Sequence, residues 1–267
     1  MRIVQSALSV VAVIATGAVA THSSEAGAQN ASLSASLRQT APALDVDQRF
    51  AQIAREVRDS LGRERDLREI EVSVEGTVVT LGGRVETFWA KDRAIKRTIA
   101  VEGVESVVSD LEIPLAEDDG SLARDVARAI QGYTYYTLWD QIDGSVADGA
   151  VSLFGLVTPD RNKIGEIFER VAKVKGVQDV QSEIRRLPES QRDQELRRAL
   201  AYRVFRSEHF ERFSSMSNPP FHIIVDSSVV TLVGYVQSVI EAREIQRIVA
   251  QTQGVTRVEN LLQTVQR

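Results

Sequence analysis

The sequence has no cysteine among its 267 residues, and aromatic residues make up only 6% of it. Without cysteine the protein has neither disulfides nor the lipid-bearing cysteine of a lipoprotein, so its folded part depends on core packing alone. Neither sign of charge dominates, because 32 basic and 37 acidic side chains give a net charge of −5. Since the basic residues form no cluster, we expect no nucleic-acid partner and little electrostatic attraction to anionic lipid.

Catalytic and metal-binding motifs are missing as well. The sequence has no H-E-x-x-H motif, no G-x-S-x-G nucleophile turn and no G-x-G-x-x-G dinucleotide loop. Asp140, Asp143 and Asp148 lie close together, but their spacing is not that of a calcium-binding EF-hand loop. The sequence therefore predicts a protein that is not an enzyme, with no catalytic residue, no cofactor and no metal site.

The first residues have the composition of an export signal. A basic residue near the start is followed by Val, Ile, Leu and Ala over most of residues 3–20, and small-x-small sites end at Ala20 and Ala28. A retained membrane anchor is the alternative, although the apolar run is only marginally long enough to span a bilayer. We expect a cleaved signal peptide over residues 1–28, a periplasmic location, and a flexible leader rich in Ala, Ser, Gln and Thr over residues 29–44.

The rest of the sequence repeats one pattern three times. In each copy a valine-rich run ends in glycine, and a Gly-Val pair later opens another β-like run. The glycine pairs are Gly83 and Gly103, Gly155 and Gly176, and Gly234 and Gly254. A ligand-contacting surface is one interpretation of these glycines. We favour a mainly structural role, at bulges, close contacts or left-handed helix C-caps.

The periodicity of each copy predicts an α-β-β-α-β unit. Alternating apolar residues on both sides of a short turn indicate a β-hairpin, and a helical stripe then leads to a last strand. Pro114 and Pro188 close the first two copies. The predicted fold class is α+β, with three tandem units, each a three-stranded mixed sheet packed on one face by two helices. The units are predicted over residues 45–115, 116–188 and 189–267.

These features resemble the BON domain, a module of bacterial envelope proteins. The resemblance rests on the valine-rich hairpin, its glycine, the helix and the Gly-Val-x-x-Val ending, and the third unit, with Asn260, is the most similar. The other units have Asp110 and Glu183 near that asparagine position. The resemblance implies a non-enzymatic periplasmic envelope protein that binds phospholipid surfaces and supports envelope integrity or osmotic and stress tolerance. A periplasmic chaperone or adaptor for exported proteins is the alternative.

Aromatic residues are the candidate contacts with such partners, either a phospholipid membrane or exported and envelope proteins. The candidates are Tyr133, Tyr135, Tyr136 and Trp139 before the second hairpin, and Phe88 and Trp89 at the first crossover helix. Their rings suit a bilayer interface or a peptide clasp, whereas a satellite core beneath a long loop is the simpler alternative. His222 alternates with apolar residues and is expected to face water or a helix edge. The oligomeric state is not predicted.

Overall fold

The computed structural model describes residues 46–265. The predicted signal peptide over residues 1–28 and the leader over 29–44 lie outside the described residues. The described chain contains three successive units with the element order α-β-β-α-β, which confirms the predicted α+β class. In residues 46–265 every helix is too short or too polar to cross a bilayer.

The elements of the three units correspond one to one. The first unit contains α1 (Val46–Gly62), β1 (Glu71–Glu75), β2 (Val78–Arg84), α2 (Phe88–Ile99) and β3 (Ser106–Glu112). The second contains α3 (Asp119–Gln131), β4 (Gln141–Ala147), β5 (Ala150–Val157), α4 (Lys163–Ala172) and β6 (Asp179–Arg186). The third contains α5 (Gln191–Val204), β7 (Phe221–Asp226), β8 (Val229–Val236), α6 (Val239–Ala250), β9 (Arg257–Asn260) and β10 (Gln263–Thr264), with a 3-10 turn at Glu211–Phe213.

Each unit forms a mixed sheet with the second hairpin strand in the centre. The hairpin strands are antiparallel, and the strand after the crossover helix is parallel to its neighbour. In the third unit the last strand is interrupted between β9 and β10. Both segments pair with β8 in the same register. The predicted hairpins are confirmed by three directly opposed valine pairs, Val74 with Val79, Val146 with Val151 and Val225 with Val230.

Each sheet buries one face beneath its two helices. In β2, Val79 and Leu81 are fully buried against α1 and α2, whereas Val78 on the opposite face is 37% exposed. The other two units have equivalent cores. The face opposite the helices is called the outer face of a sheet. In the first unit it is mixed, since the exposed Glu71, Ser73 and Asp110 share it with the exposed Val78 and Val108.

Acidic side chains at the start of two helices hold the hairpin turns. Ser190 caps α5 by accepting the Asp193 amide at 3.1 Å. The buried Asp193 carboxylate then accepts the amides of Ser227 and Ser228 at 3.0 and 2.9 Å. Asp119 does the same for the β4–β5 turn. Each carboxylate thus ties the first helix of its unit to the hairpin, an interaction that sequence analysis missed.

The repeated glycines occupy backbone positions that exclude side chains. At Gly155 (φ 144°) and Gly234 (φ 96°), a Cβ atom would collide with the carbonyl oxygen of the neighbouring strand. The downstream glycines also have positive φ, but they are not helix C-caps as predicted. The helices end four residues earlier at Ile99, Ala172 and Ala250. The turns that follow these helices contain Gly103, Gly176 and Gly254.

Candidate binding cleft

The aromatic segment of the second unit lies at its junction with the third. Tyr133 and Tyr136 are buried, Trp139 is partly buried, and Tyr135 is 47% exposed. Of these four rings, Tyr135 is therefore the one that a membrane or a partner can reach without a structural change. Their role as contact residues stays a prediction.

Leu138 connects the two units through its backbone and its side chain. Its amide donates to the Ser217 carbonyl at 3.0 Å, and its carbonyl accepts the Ile223 amide at 2.8 Å. Its side chain is buried in the core of the third unit. The segment around Leu138 therefore extends the third sheet beyond the edge of β7.

Tyr133 and Tyr135 are held by charged residues from α4 and the loop before it. The Arg161 guanidinium lies 3.6 Å from the centroid of the Tyr135 ring and bonds to Glu166 at 2.8 Å. This bond lowers the pKa of Glu166, whose carboxylate also accepts the Tyr133 hydroxyl. Burial and Glu166 raise the pKa of Tyr133, so the hydroxyl remains protonated.

Phe88 and Trp89 lie at the junction of the first and second units. Both half-buried rings contact Phe168 of α4 edge to face, with centroids 6.3 and 6.4 Å apart. The Lys173 ammonium lies 5.6 Å from the centroid of the Trp89 ring. These two rings hold neighbouring units together, and their contact with a partner also stays a prediction.

A buried ion pair supports the segment beside the cleft. Asp140 and Lys163 are 0% and 1% exposed, and their charged groups approach to 2.8 Å. The Asp140 carboxylate also accepts the amides of Thr137 and Thr158 at 2.9 and 2.8 Å. The Lys163 ammonium donates to the Thr158 hydroxyl at 2.7 Å. Because these bonds satisfy both charges, the cluster is a structural clamp.

A cleft of about 960 Å³ separates the second and third units. One wall is formed by α3 and β4, and the other by the outer face of the third sheet and the loop before β7. Among the described residues that line it, none is Lys or Arg, and Asp143 is the one carboxylate. On the outer face of the third sheet, the lining residues are His222, Ile224, Thr231, Val233, Tyr235, Leu261 and Gln263. This arrangement favours an uncharged, partly apolar ligand.

His222 does not face water, contrary to the sequence-based expectation. Its imidazole Nδ1 lies 3.3 Å from the Thr137 carbonyl oxygen, and its ring is 5.3 Å from that of Tyr136. Burial lowers the pKa of His222, an effect only partly opposed by Asp140 and Asp143. Burial likewise raises the pKa of Tyr136 to about 12. Both rings are therefore uncharged at neutral pH.

An apolar patch on the outer face of the third sheet overlaps the cleft lining at Tyr235 and Leu261 and extends beyond it to Val265. Tyr235, Leu261 and Val265 are 52%, 61% and 55% exposed. Gln263 is directly opposite Tyr235, so Leu261 and Val265 flank this tyrosine on the same face. The patch was not predicted from the sequence, although the alternating apolar residues Leu261 and Val265 were a usable signal.

Comparison with protein families identifies the module. The BON domain family model matches residues 51–114 and 211–266. The chain therefore contains BON domains in its first and third units. The second unit lies outside these matches, and its assignment as a third BON domain depends on its equivalent element order. BON domains are in general non-enzymatic, and the match indicates a role in the cell envelope.

Three solved structures are similar to this chain at low sequence identity. Two structures of CdsD, a structural protein of the type III secretion system of Chlamydia trachomatis, are 12% identical, with TM-scores of 0.23. The alignments cover 79% and 80% of this chain, and 96% and 94% of the solved CdsD chains, the first of which is the C-terminal domain. The PrgH periplasmic domain is 10% identical, with 78% and 99% coverage and a TM-score of 0.19. No curated protein matches the sequence significantly.

Proposed function

We propose that the protein is a non-enzymatic component of the periplasm that binds exported or envelope polypeptides, as a chaperone or adaptor. The cleft between the second and third units is the main support for this proposal. Its volume of about 960 Å³ and its nearly uncharged lining suit a polypeptide segment better than a phosphate group, which needs basic partners.

Aggregation of an unfolded secreted protein tests this function. The full chain should suppress light scattering by reduced α-lactalbumin. Val233→Arg should abolish suppression, because it puts a cation into the apolar wall of the cleft. Val78→Arg is the matched control, since Val78 lies on the outer face of the first sheet. Aggregation that the unaltered protein does not reduce at any molar ratio would reject the proposal.

Binding to phospholipid surfaces is a second candidate. It is supported by the exposed apolar patch of Tyr235, Leu261 and Val265. Because the chain has no basic cluster, such binding would depend on apolar contact and change little with salt. It would give the protein a direct role in envelope integrity and in osmotic or other stress tolerance.

Flotation with vesicles tests the second candidate. The full chain should float with vesicles of phosphatidylethanolamine and phosphatidylglycerol at both low and high salt. Tyr235→Asp should remain in the dense fraction, whereas Phe154→Asp, a change on the outer face of the second sheet, should still float. Equal flotation of the two variants would exclude the patch as the lipid contact.

A further inference from the structure

We propose that the edge of β4 accepts an extended polypeptide strand inside the cleft. This inference rests on the proposed polypeptide-binding function and gives the mode of binding. Strand addition requires a free sheet edge with backbone donors and acceptors, and side pockets for alternate residues. The second unit provides both.

The hairpin register determines which backbone groups of β4 point into the cleft. Ala147 and Ala150 flank the two-residue turn, and every second residue from Ala147 bonds to β5. The intervening Ile142, Gly144 and Val146 direct their N–H and C=O groups away from β5. Within residues 46–265, Gly144 and Val146 have no hydrogen-bond partner on that side.

The corresponding edges of the other two units are capped by arginine. Arg58 of α1 donates to the Val72 carbonyl of β1 at 3.1 Å. Arg197 of α5 donates to the Val225 carbonyl of β7 at 2.7 Å. Ile223 of β7 is also paired, through its amide, with the segment that precedes β4. In the first unit one outward carbonyl of the strand edge is therefore occupied, and in the third unit one carbonyl and one amide are occupied.

The second unit has alanines where the other units have these arginines. In the first helix of each of the other units, the capping arginine comes directly after a buried apolar residue. At the two matching places α3 has Ala123 and Ala127, which follow the buried Leu122 and Val126. Both alanines are exposed and line the cleft. The small side chains leave the edge of β4 open at Gly144 and Val146, whereas the Ile142 amide donates to the Tyr136 hydroxyl at 3.3 Å.

The opposite wall of the cleft defines the side chains of the strand that fits. Ile224, Val233 and Tyr235 face β4 across the cleft, so apolar residues suit one side of the added strand. Asp143 is the one carboxylate among the described lining residues, and none of these is basic, so a neutral or basic segment is favoured over an acidic one. β4 has seven residues, which accommodate a partner of about 23 Å at roughly 3.3 Å per residue.

Peptide binding to the full chain tests strand addition. The probe is a fluorescein-labelled peptide of roughly ten residues that alternates valine and threonine between lysine ends, long enough to span β4. Ala127→Arg should weaken binding about ten-fold or more, because the new guanidinium caps the β4 edge as Arg58 caps β1. Ala51→Arg, the same change on an exposed site of α1, should bind like the unaltered protein. Unchanged circular dichroism and melting temperature show that both variants fold.

Two further measurements distinguish a strand from other bound forms. The same peptide N-methylated through its centre keeps its side chains but loses its backbone donors, and it should not bind. Peptide binding should also slow hydrogen exchange of the Gly144 and Val146 amides. Equal binding of the methylated peptide, or of Ala127→Arg, would overturn strand addition. If strand addition fails this test while the protein still suppresses α-lactalbumin aggregation, the proposed polypeptide-binding function stands without strand addition. If the protein does not suppress aggregation either, both proposals fail.

Discussion

At the residue scale, the buried pair of Asp140 and Lys163 determines how firmly the second unit holds its connecting segment. The Asp140 carboxylate accepts bonds from the amides of Thr137 before β4 and Thr158 after β5. Lys163, at the start of α4, supplies the compensating charge. A buried carboxylate without this partner is costly.

Replacement of Lys163 tests the importance of this pair. Lys163→Met should lower the free energy of unfolding by about 3–5 kcal/mol, because Asp140 would be left as an uncompensated buried charge. Lys175→Met, just after α4, removes an exposed lysine 3.7 Å from the exposed Glu86 and should cost less than about 1 kcal/mol. Urea denaturation measures both values. Similar costs for the two variants would contradict a clamp at Asp140.

His222 should make the stability depend on pH. Burial lowers its pKa from the ordinary value of 6.5, so below that pH the unfolded chain binds more protons than the folded chain. The contribution of His222 is fully present above pH 6.5 and is lost as the pH falls toward the lower folded pKa. Denaturation midpoints at about pH 7.5 and about pH 5.5 should differ less in His222→Gln than in the unaltered protein. An equal difference would show that other groups cause the dependence.

At the scale of elements, the third hairpin turn has strained backbone conformations, and a carboxylate accepts hydrogen bonds from its amides. Ser227 and Ser228 have φ values of 52° and 66°, a region that is unfavourable for residues with a side chain. Their amides are both held by Asp193. The carboxylate thus offsets the conformational cost of a turn without glycine.

A glycine at position 228 should relieve this strain. Ser228→Gly keeps the amide that bonds to Asp193 and should stabilise the third unit by about 0.5–1 kcal/mol. The matched change Ser73→Gly in the extended strand β1 should destabilise by a similar amount, because glycine there only adds freedom to the unfolded chain. Thermal melting shows whether each change raises or lowers the stability. A lower melting temperature for Ser228→Gly would show that the turn is not strained.

At the scale of the whole molecule, the units are joined by side chains that cross from one core to the next. Phe88 and Trp89 of the first unit contact Phe168 of the second. Leu138 of the second unit is buried in the third. The cleft and the edge of β4 depend on this second junction, because the two walls belong to different units.

Truncation of Leu138 should loosen the third unit selectively. Leu138→Ala should cost about 2–5 kcal/mol, since it leaves a cavity in the third core. Hydrogen exchange should accelerate in β7 and remain unchanged in β1. Leu115→Ala is the matched control, because Leu115 lies in the connection between the first and second units and is 79% exposed. Uniform acceleration throughout the chain would indicate that the units do not unfold separately.

Local patterns account for the parts of the fold that could be predicted. The hairpin register follows from alternating valines and the turn residues between them, and the cap at Ser190 follows from its own neighbours. The burial of Tyr136 agrees with the satellite-core alternative, but its contact with His222 was not predictable in this way. This contact depends on residues far away in the sequence, since these two rings meet only where two units pack together.

Near neighbours along the chain are enough to specify the three α-β-β-α-β units, because strand and helix periods and turn chemistry are local properties. The sequence also has no cluster of basic residues, which limits electrostatic binding. The aromatic rings at the junctions and the open part of a sheet edge could be located only in the folded chain. The reason is that a cap or a cleft depends on which side chain reaches across from another element, as Arg58 and Arg197 do and Ala127 cannot.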